Sequence, residues 1–178
     1  SKSNSSYTTT NLEASLTYER EFNYAHNVSG LLLFSTRNRY NNVPANFEQS
    51  FAYKNMGLAG RATYSYKDRY FGEFNFGYNG SENFAPGKRF GFFPSIAVGY
   101  MISNEPFWEP IKETVNLLKF KVSYGKIGND QIGGSRRFAY NSTINTNAPG
   151  FTFGTTPQGM GGITTGEVGN SLVQWEEA

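Results

Sequence analysis

Tyr70-Phe71-Gly72-Glu73-Phe74-Asn75-Phe76-Gly77-Tyr78 is the stretch on which the fold turns. In an extended chain successive side chains point to opposite faces, so Tyr70, Gly72, Phe74, Phe76 and Tyr78 share one side while Phe71, Glu73, Asn75 and Gly77 share the other. The first side is apolar; the second, past Phe71, is not. The same alternation recurs between Gly57 and Trp108, broken only at turn-rich clusters. A soluble sheet with such a face needs a second layer to cover it, and no helical or second strand pattern is available to provide one. Lipid is the simplest cover, so the pattern reads as all-β, the wall of an antiparallel transmembrane β-barrel.

Composition fits this reading. The chain has 178 residues, 17% of them aromatic, with 20 glycines and 38% hydrophobic residues. No stretch approaches the roughly 18 to 20 apolar residues of a spanning helix. A mean hydropathy of −0.53 does not exclude a barrel, because half of each barrel strand faces a polar lumen. The absence of cysteine removes disulfides, thiolate metal sites and cysteine nucleophiles. A net charge of +2 leaves no footprint for a nucleic acid partner. Ser1-Lys2-Ser3-Asn4 has neither a basic nor an apolar leader region, so an export signal is expected outside the chain or already removed.

Working outward from Tyr70, Lys67-Asp68-Arg69 is a tight turn back to a strand carrying Met56, Leu58, Gly60, Ala62, Tyr64 and Tyr66 on one face. Upstream, Leu12 to Phe22 alternates as a first strand, Asn23 to Asn27 turns, and Val28 to Arg37 returns, with Leu31-Leu32-Leu33-Phe34 apolar on both faces. Asn38 to Asn55 reads as a long polar loop. Downstream, Asn79 to Gly87 is a loop, and a fifth strand from Phe90 carries Phe92, Pro94, Ile96, Val98 and Tyr100. Pro94 predicts a bulge or irregularity there. Ser103 to Val115 connects, with room for one helical turn, to a sixth strand at Leu118, Phe120, Val122 and Tyr124. A loop of roughly 40 residues follows, from Gly128 to about Ser171, before Leu172 to Glu177 opens a seventh strand. Short or modest connections thus fall at one end and long loops at the other, as in outer-membrane barrels. Tyr18, Tyr64, Tyr66, Tyr70 and Tyr100 fall at the short-turn end, where an aromatic girdle meets lipid headgroups.

These residues also carry a resemblance. Gly57 to Tyr70 (GLAGRATYSYKDRY), Gly77 to Phe84 (GYNGSENF), Arg89 to Pro94 (RFGFFP), Glu105-Pro106-Phe107, Leu118 to Asp130 (LKFKVSYGKIGND), Val168-Gly169-Asn170 and Gln174-Trp175-Glu176 resemble, in order and spacing, a central stretch of the SusC/RagA-type TonB-dependent transporters of the Bacteroidetes outer membrane. The likeness runs from about Leu12 over most of the chain. It implies a barrel of about 22 strands with a plugged lumen. It also implies an integral outer-membrane protein that imports large nutrients, either oligosaccharides and other glycans or peptides, without being an enzyme. TonB would supply energy and a SusD-like surface lipoprotein would act as a lid. No TonB box or plug is recognisable, and the chain ends Glu176-Glu177-Ala178 rather than on a closing aromatic strand. Residues 1–178 are therefore expected to form part of one barrel domain, about six to seven strands, with the remainder of the same barrel supplied by a longer protein. Two alternatives stand: a small self-contained outer-membrane barrel with a structural or adhesive role, and a soluble carbohydrate-binding β-sandwich.

Candidate chemistry is sparse. His26, the one histidine, sits by a turn with no second histidine to share a metal and reads as a solvated turn residue. Glu105, Glu109 and Glu113 recur every fourth residue, but Pro106 and Pro110 interrupt a helix, so a solvated face is expected. Gly125 to Asp130 lacks the ending of a phosphate loop. Asn129, Asp130 and Gln131 offer oxygens without calcium-loop spacing, so calcium is not assignable there and no cofactor is expected. Arg136, Arg137, Phe138 and Tyr140 in the long loop are candidates for substrate contact, since planar rings and a guanidinium suit sugars or peptide backbones. Arg61, Glu73 and Asn75 are candidates for lining the lumen.

Overall fold

A computed structural model describes residues 6–44, 48–132, 137–153 and 158–178. Six strands form one antiparallel meander in chain order: β1 (Tyr7–Phe22), β2 (His26–Asn41), β3 (Tyr53–Tyr66), β4 (Tyr70–Ser81), β5 (Phe90–Met101) and β6 (Lys119–Gly125). Beyond β6 lie β7 (Gly128–Asn129), β8 (Ile144–Phe153), β9 (Gln158–Thr165) and β10 (Glu176–Glu177), with β7 pairing β10 and β8 pairing β9. The two tight turns share one solution. Asn23 and Tyr24, like Lys67 and Asp68, hold positive φ, closed by Ala25 N–H to the Phe22 carbonyl (3.1 Å) and by Arg69 N–H to the Tyr66 carbonyl (3.0 Å). Such turns match the twist of the strands they join.

The register sorts every strand onto the faces that alternation predicts. Phe22, His26, Tyr66, Tyr70, Tyr100 and Phe120 lie directly opposite one another across all six strands, forming the last apolar row before the tight turns. Further rows lead up to Leu12, Thr36, Met56, Gly80 and Phe90, above which Thr10, Asn38 and Lys54 are polar. The ten residue steps from Leu12 to Phe22, at about 3.4 Å each and a tilt of about 45°, span about 24 Å, the height of a barrel's lipid-facing band. Arg20 is the charge within this band, and its guanidinium lies 4.9 Å from the Phe22 ring centre, reaching toward the interface.

No second layer covers the band among the described residues. Leu16 is 70% exposed, Ile96 55% and Phe74 44%, whereas buried apolar residues amount to Ala52, Phe84, Ala97 and Ala139. The accessible surface is 13357 Å², against about 8,700 Å² for a compact soluble monomer of this length. The described residues form no two-layer core of the kind a soluble sandwich requires. Among the described residues these Phe, Leu and Ile side chains face outward from one six-stranded sheet of the partial-barrel kind, with no second layer behind them.

Several expectations at element boundaries are corrected. β2 starts at His26 and runs to Asn41, and β3 begins at Tyr53, because polar rows above the band still pair. Pro94 causes no register shift. Its carbonyl accepts from Lys126 N–H (2.9 Å) where β6 has already ended, so the missing donor interrupts no interior ladder. The strand expected to open over Leu172 to Glu177 is paired only from Glu176, where Glu176, Glu177 and Ala178 run antiparallel to Asn129, Gly128 and Ile127, just beyond β6. The loop from Gly128 to Ser171 contains the β8–β9 hairpin. His26 is no solvated turn residue. It is a half-buried member of the aromatic row, with Nδ1 2.8 Å from the Tyr64 hydroxyl. In the girdle, Tyr66, Tyr70 and Tyr100 hold the last row, Tyr64 lies one row in and Tyr18 two.

Candidate functional site on the inner face

On the face opposite the apolar band, pairing sets Thr17, Leu31, Arg61, Asn75 and Ser95 in one row and Glu19, Ser29, Thr63, Glu73 and Ala97 in the next. The three residues expected to line a lumen are thereby brought together. Arg61 pairs with Glu73 at 3.3 Å, and Asn75 Nδ2 donates to Glu73 Oε1 at 2.9 Å. Ser29 and Thr63 hydroxyls lie 2.6 Å apart beside them. Leu31 and Leu33 share this face, which is why Leu31-Leu32-Leu33-Phe34 is apolar on both sides.

Toward the long-loop end the inner face becomes a hollow of about 500 Å³ lined by Asn11, Arg37, Asn55, Asn79, Asp130 and Trp175, among others. Arg37 Nε donates to Asn11 Oδ1 at 3.0 Å. The loop after β6 folds over this hollow and is held at three points. Arg137 donates to the Phe51 and Ala52 carbonyls (3.0 and 2.8 Å) while its guanidinium lies 3.5 Å from the ring centre of Tyr53. Asn83 Nδ2 donates to the Asp130 carbonyl at 3.2 Å. Trp175 Nε1 donates to the Arg89 carbonyl at 3.1 Å, its ring against Phe84 and Phe93. Phe93, which broke the alternation, points inward because Trp175 covers it.

Of the loop residues expected to meet substrate, Arg137 is 8% exposed and engaged in holding the loop. Phe138 sits at φ 52° with its ring edge-on to Phe51 and Tyr140. Arg136 lies outside the described residues. Among the described residues no three His, Cys, Asp or Glu side chains gather as metal ligands. The arrangement offers amides, a guanidinium and an indole around an open hollow, a set suited to gripping a polar polymer by hydrogen bonds and ring contact.

No family model matches the sequence. Over 185 aligned positions the chain is 28% identical to TonB-dependent receptor P39 of Formosa agariphila, covering 90% of this chain and 17% of the relative. It is 31% identical to TonB-dependent receptor SusC of Bacteroides thetaiotaomicron over 97 residues, 54% of this chain and 10% of that one. Its fold superposes on the solved RagAB peptide transporter with a TM-score of 0.70 at 15% identity, covering 96% of this chain and 20% of the other. In sequence and in fold the chain is similar to a length of SusC/RagA-type barrel wall.

In this wall, sequence reading missed Asn11, Arg37, Asn55, Asn79 and Trp175 as neighbours of one hollow. Their signal was present in the register: counting upward from the two tight turns sets Asn11 opposite Arg37 and Arg37 opposite Asn55. Glu105 was also misread. Its side chain is 11% exposed, paired with Arg69 at 3.1 Å and accepting from the Tyr70 and Tyr100 hydroxyls at 3.0 and 3.1 Å. Glu109 and Glu113 are exposed, as expected.

Proposed function

We propose that this wall serves active import across the outer membrane of a Gram-negative, Bacteroidetes-like cell. In this reading it belongs to a TonB-dependent transporter for large nutrients, oligosaccharides or peptides. The observation that carries the proposal is a single sheet with an apolar band about 24 Å tall on one face and a hydrogen-bonded polar face on the other, over whose outer end the long loop folds. Such a wall gives hydrocarbon its outer face and a water-filled path its inner face. In this reading no bond in the cargo is made or broken, and import calls for no cofactor.

Recognition falls to the hollow and the loop above it. Phe138 and Tyr140 offer ring faces, and Asn11, Asn55 and Asn79 offer amides. Arg61, Glu73 and Asn75 line the path below. A plug and TonB-contacting segment in the rest of the barrel provide gating, and a SusD-like lipoprotein closes the outer mouth. The experiment is uptake of labelled oligosaccharide and oligopeptide mixtures by cells with and without the intact gene, each in backgrounds with and without working TonB. Accumulation of one mixture that requires both gene and TonB is expected. Uptake that persists without either would overturn the reading.

A further inference from the structure

The connector between β5 and β6, residues 102–118, is far longer than the two tight turns at the same end, and it is folded. It comprises 3-10 turns at Ile102–Asn104 and Pro106–Ile111. Trp108 Nε1 donates to the Val115 carbonyl at 2.9 Å, and Val115 N–H reaches the Ile111 carbonyl at 2.9 Å, closing the segment into a knuckle. Its root is fixed. Asn104 Nδ2 donates to the Asp68 carbonyl at 2.8 Å, and Glu105 is clasped by Arg69 and by the Tyr70 and Tyr100 hydroxyls.

Those two tyrosines decide where the knuckle lies. They are stacked at 5.1 Å in the last row of the apolar band. A carboxylate that accepts from both hydroxyls must therefore sit on the lipid side of the wall, at the level where hydrocarbon gives way to headgroups. From this root the knuckle presents Phe107 at 65% exposure, Leu117 at 66% and Ile111 at 47%. Glu105, Glu109 and Glu113 against Lys112 leave the segment with a net charge of −2, so electrostatic attraction to anionic lipid is not what holds it.

We propose that this knuckle is a membrane-interface anchor, seating Phe107, Ile111 and Leu117 among the phospholipids of the periplasm-facing leaflet, with Trp108 at headgroup level. The occupant is lipid because the surface continues the lipid-facing band through the tyrosine–Glu105 clasp. Apolar side chains inserted about 5 to 10 Å into the headgroup boundary hold a segment there even without cationic residues, and tryptophan favours that depth. The inference rests on the barrel reading.

The test uses the intact protein in phosphatidylethanolamine and phosphatidylglycerol vesicles. A fluorophore is placed at Phe107→Cys, Leu117→Cys, Glu113→Cys or, as a wall control, Ile96→Cys. Barrel folding of each is checked by heat-modifiable electrophoretic migration, and Ile111→Cys replaces either knuckle reporter that fails the check. Quenching by nitroxide lipids labelled near the headgroup is expected to be about threefold stronger at 107 and 117 than at 113, with iodide quenching weaker by a similar factor. Iodide quenching at 107 and 117 equal to that at 113 would overturn the anchor, and so would shielding from both quenchers, which would mean a protein contact. Lipid quenching at 96 but not at 107 sinks this inference alone; none at 96 sinks the barrel reading beneath it.

Discussion

At the scale of single residues, Phe76 and Asn75 are neighbours in sequence that face different media. Phe76 lies with Leu16, Leu32, Gly60 and Pro94 near the middle of the apolar band. Its ring covers Gly60, where any Cβ would collide with it. Phe76→Arg is therefore expected to cost about 2 to 4 kcal/mol of membrane stability, read from denaturant titration of the vesicle-inserted protein. Asn75→Arg should fall well below this; equal costs would reverse the assignment of faces. Arg137 acts differently, through two carbonyls and a stacked ring at the loop's root. Arg137→Ala should leave insertion unchanged yet weaken loop closure by about 2 kcal/mol. Limited proteolysis of the 128–171 segment should then speed up roughly thirty-fold. An unchanged cleavage rate would show that the loop is held elsewhere.

Among the elements, legibility followed periodicity. β1, β3, β4, β5 and β6 were readable because one face must be apolar throughout, and period two leaves a single register for that face. The upper ends of β2 and β3 were missed because Asn38 to Asn41 and Tyr53 to Asn55 pair above the lipid, where no apolar demand marks a strand. The β8–β9 hairpin was illegible for a related reason. Its register shifts twice, between Asn145 and Ala148 and again before Phe151, so no alternation survives to be read. Trp175 was visible as part of a motif but not as a contact, since its partners Phe84 and Phe93 come from a loop and a strand more than 80 residues away. That contact is the loop's second fastening. Trp175→Ala should cost about 3 to 5 kcal/mol locally, exposing Phe84 and releasing β10 from β7. Hydrogen exchange at Gly128, Asn129, Glu176 and Glu177 should rise sharply while the amides of β3 and β4 stay protected. Protection unchanged at both places would remove Trp175 from the closure.

For the whole molecule, the decisive feature is what borders the sheet. Among the described residues β1 pairs only with β2, and β6 only with β5, so each leaves one edge of backbone N–H and C=O groups open. In hydrocarbon each unpaired group costs several kcal/mol, and roughly half the polar groups of a strand as long as β1 point outward. Even a handful of these exceeds the 5 to 15 kcal/mol by which folded domains are stable. Among the described residues β1 and β6 do not pair with each other, and the chain spans only 17% and 10% of the two sequence relatives. Residues 1–178 expressed alone in vesicles should therefore satisfy their edges by pairing with other copies. Cross-linking and electrophoresis without heating should show a ladder of detergent-resistant oligomers and no heat-modifiable monomer, whereas the intact protein should run as one closed species. A discrete monomer that resists detergent would mean that β6 and the segment after it close onto β1. That result would favour the small self-contained barrel and remove the need for the rest of a transporter.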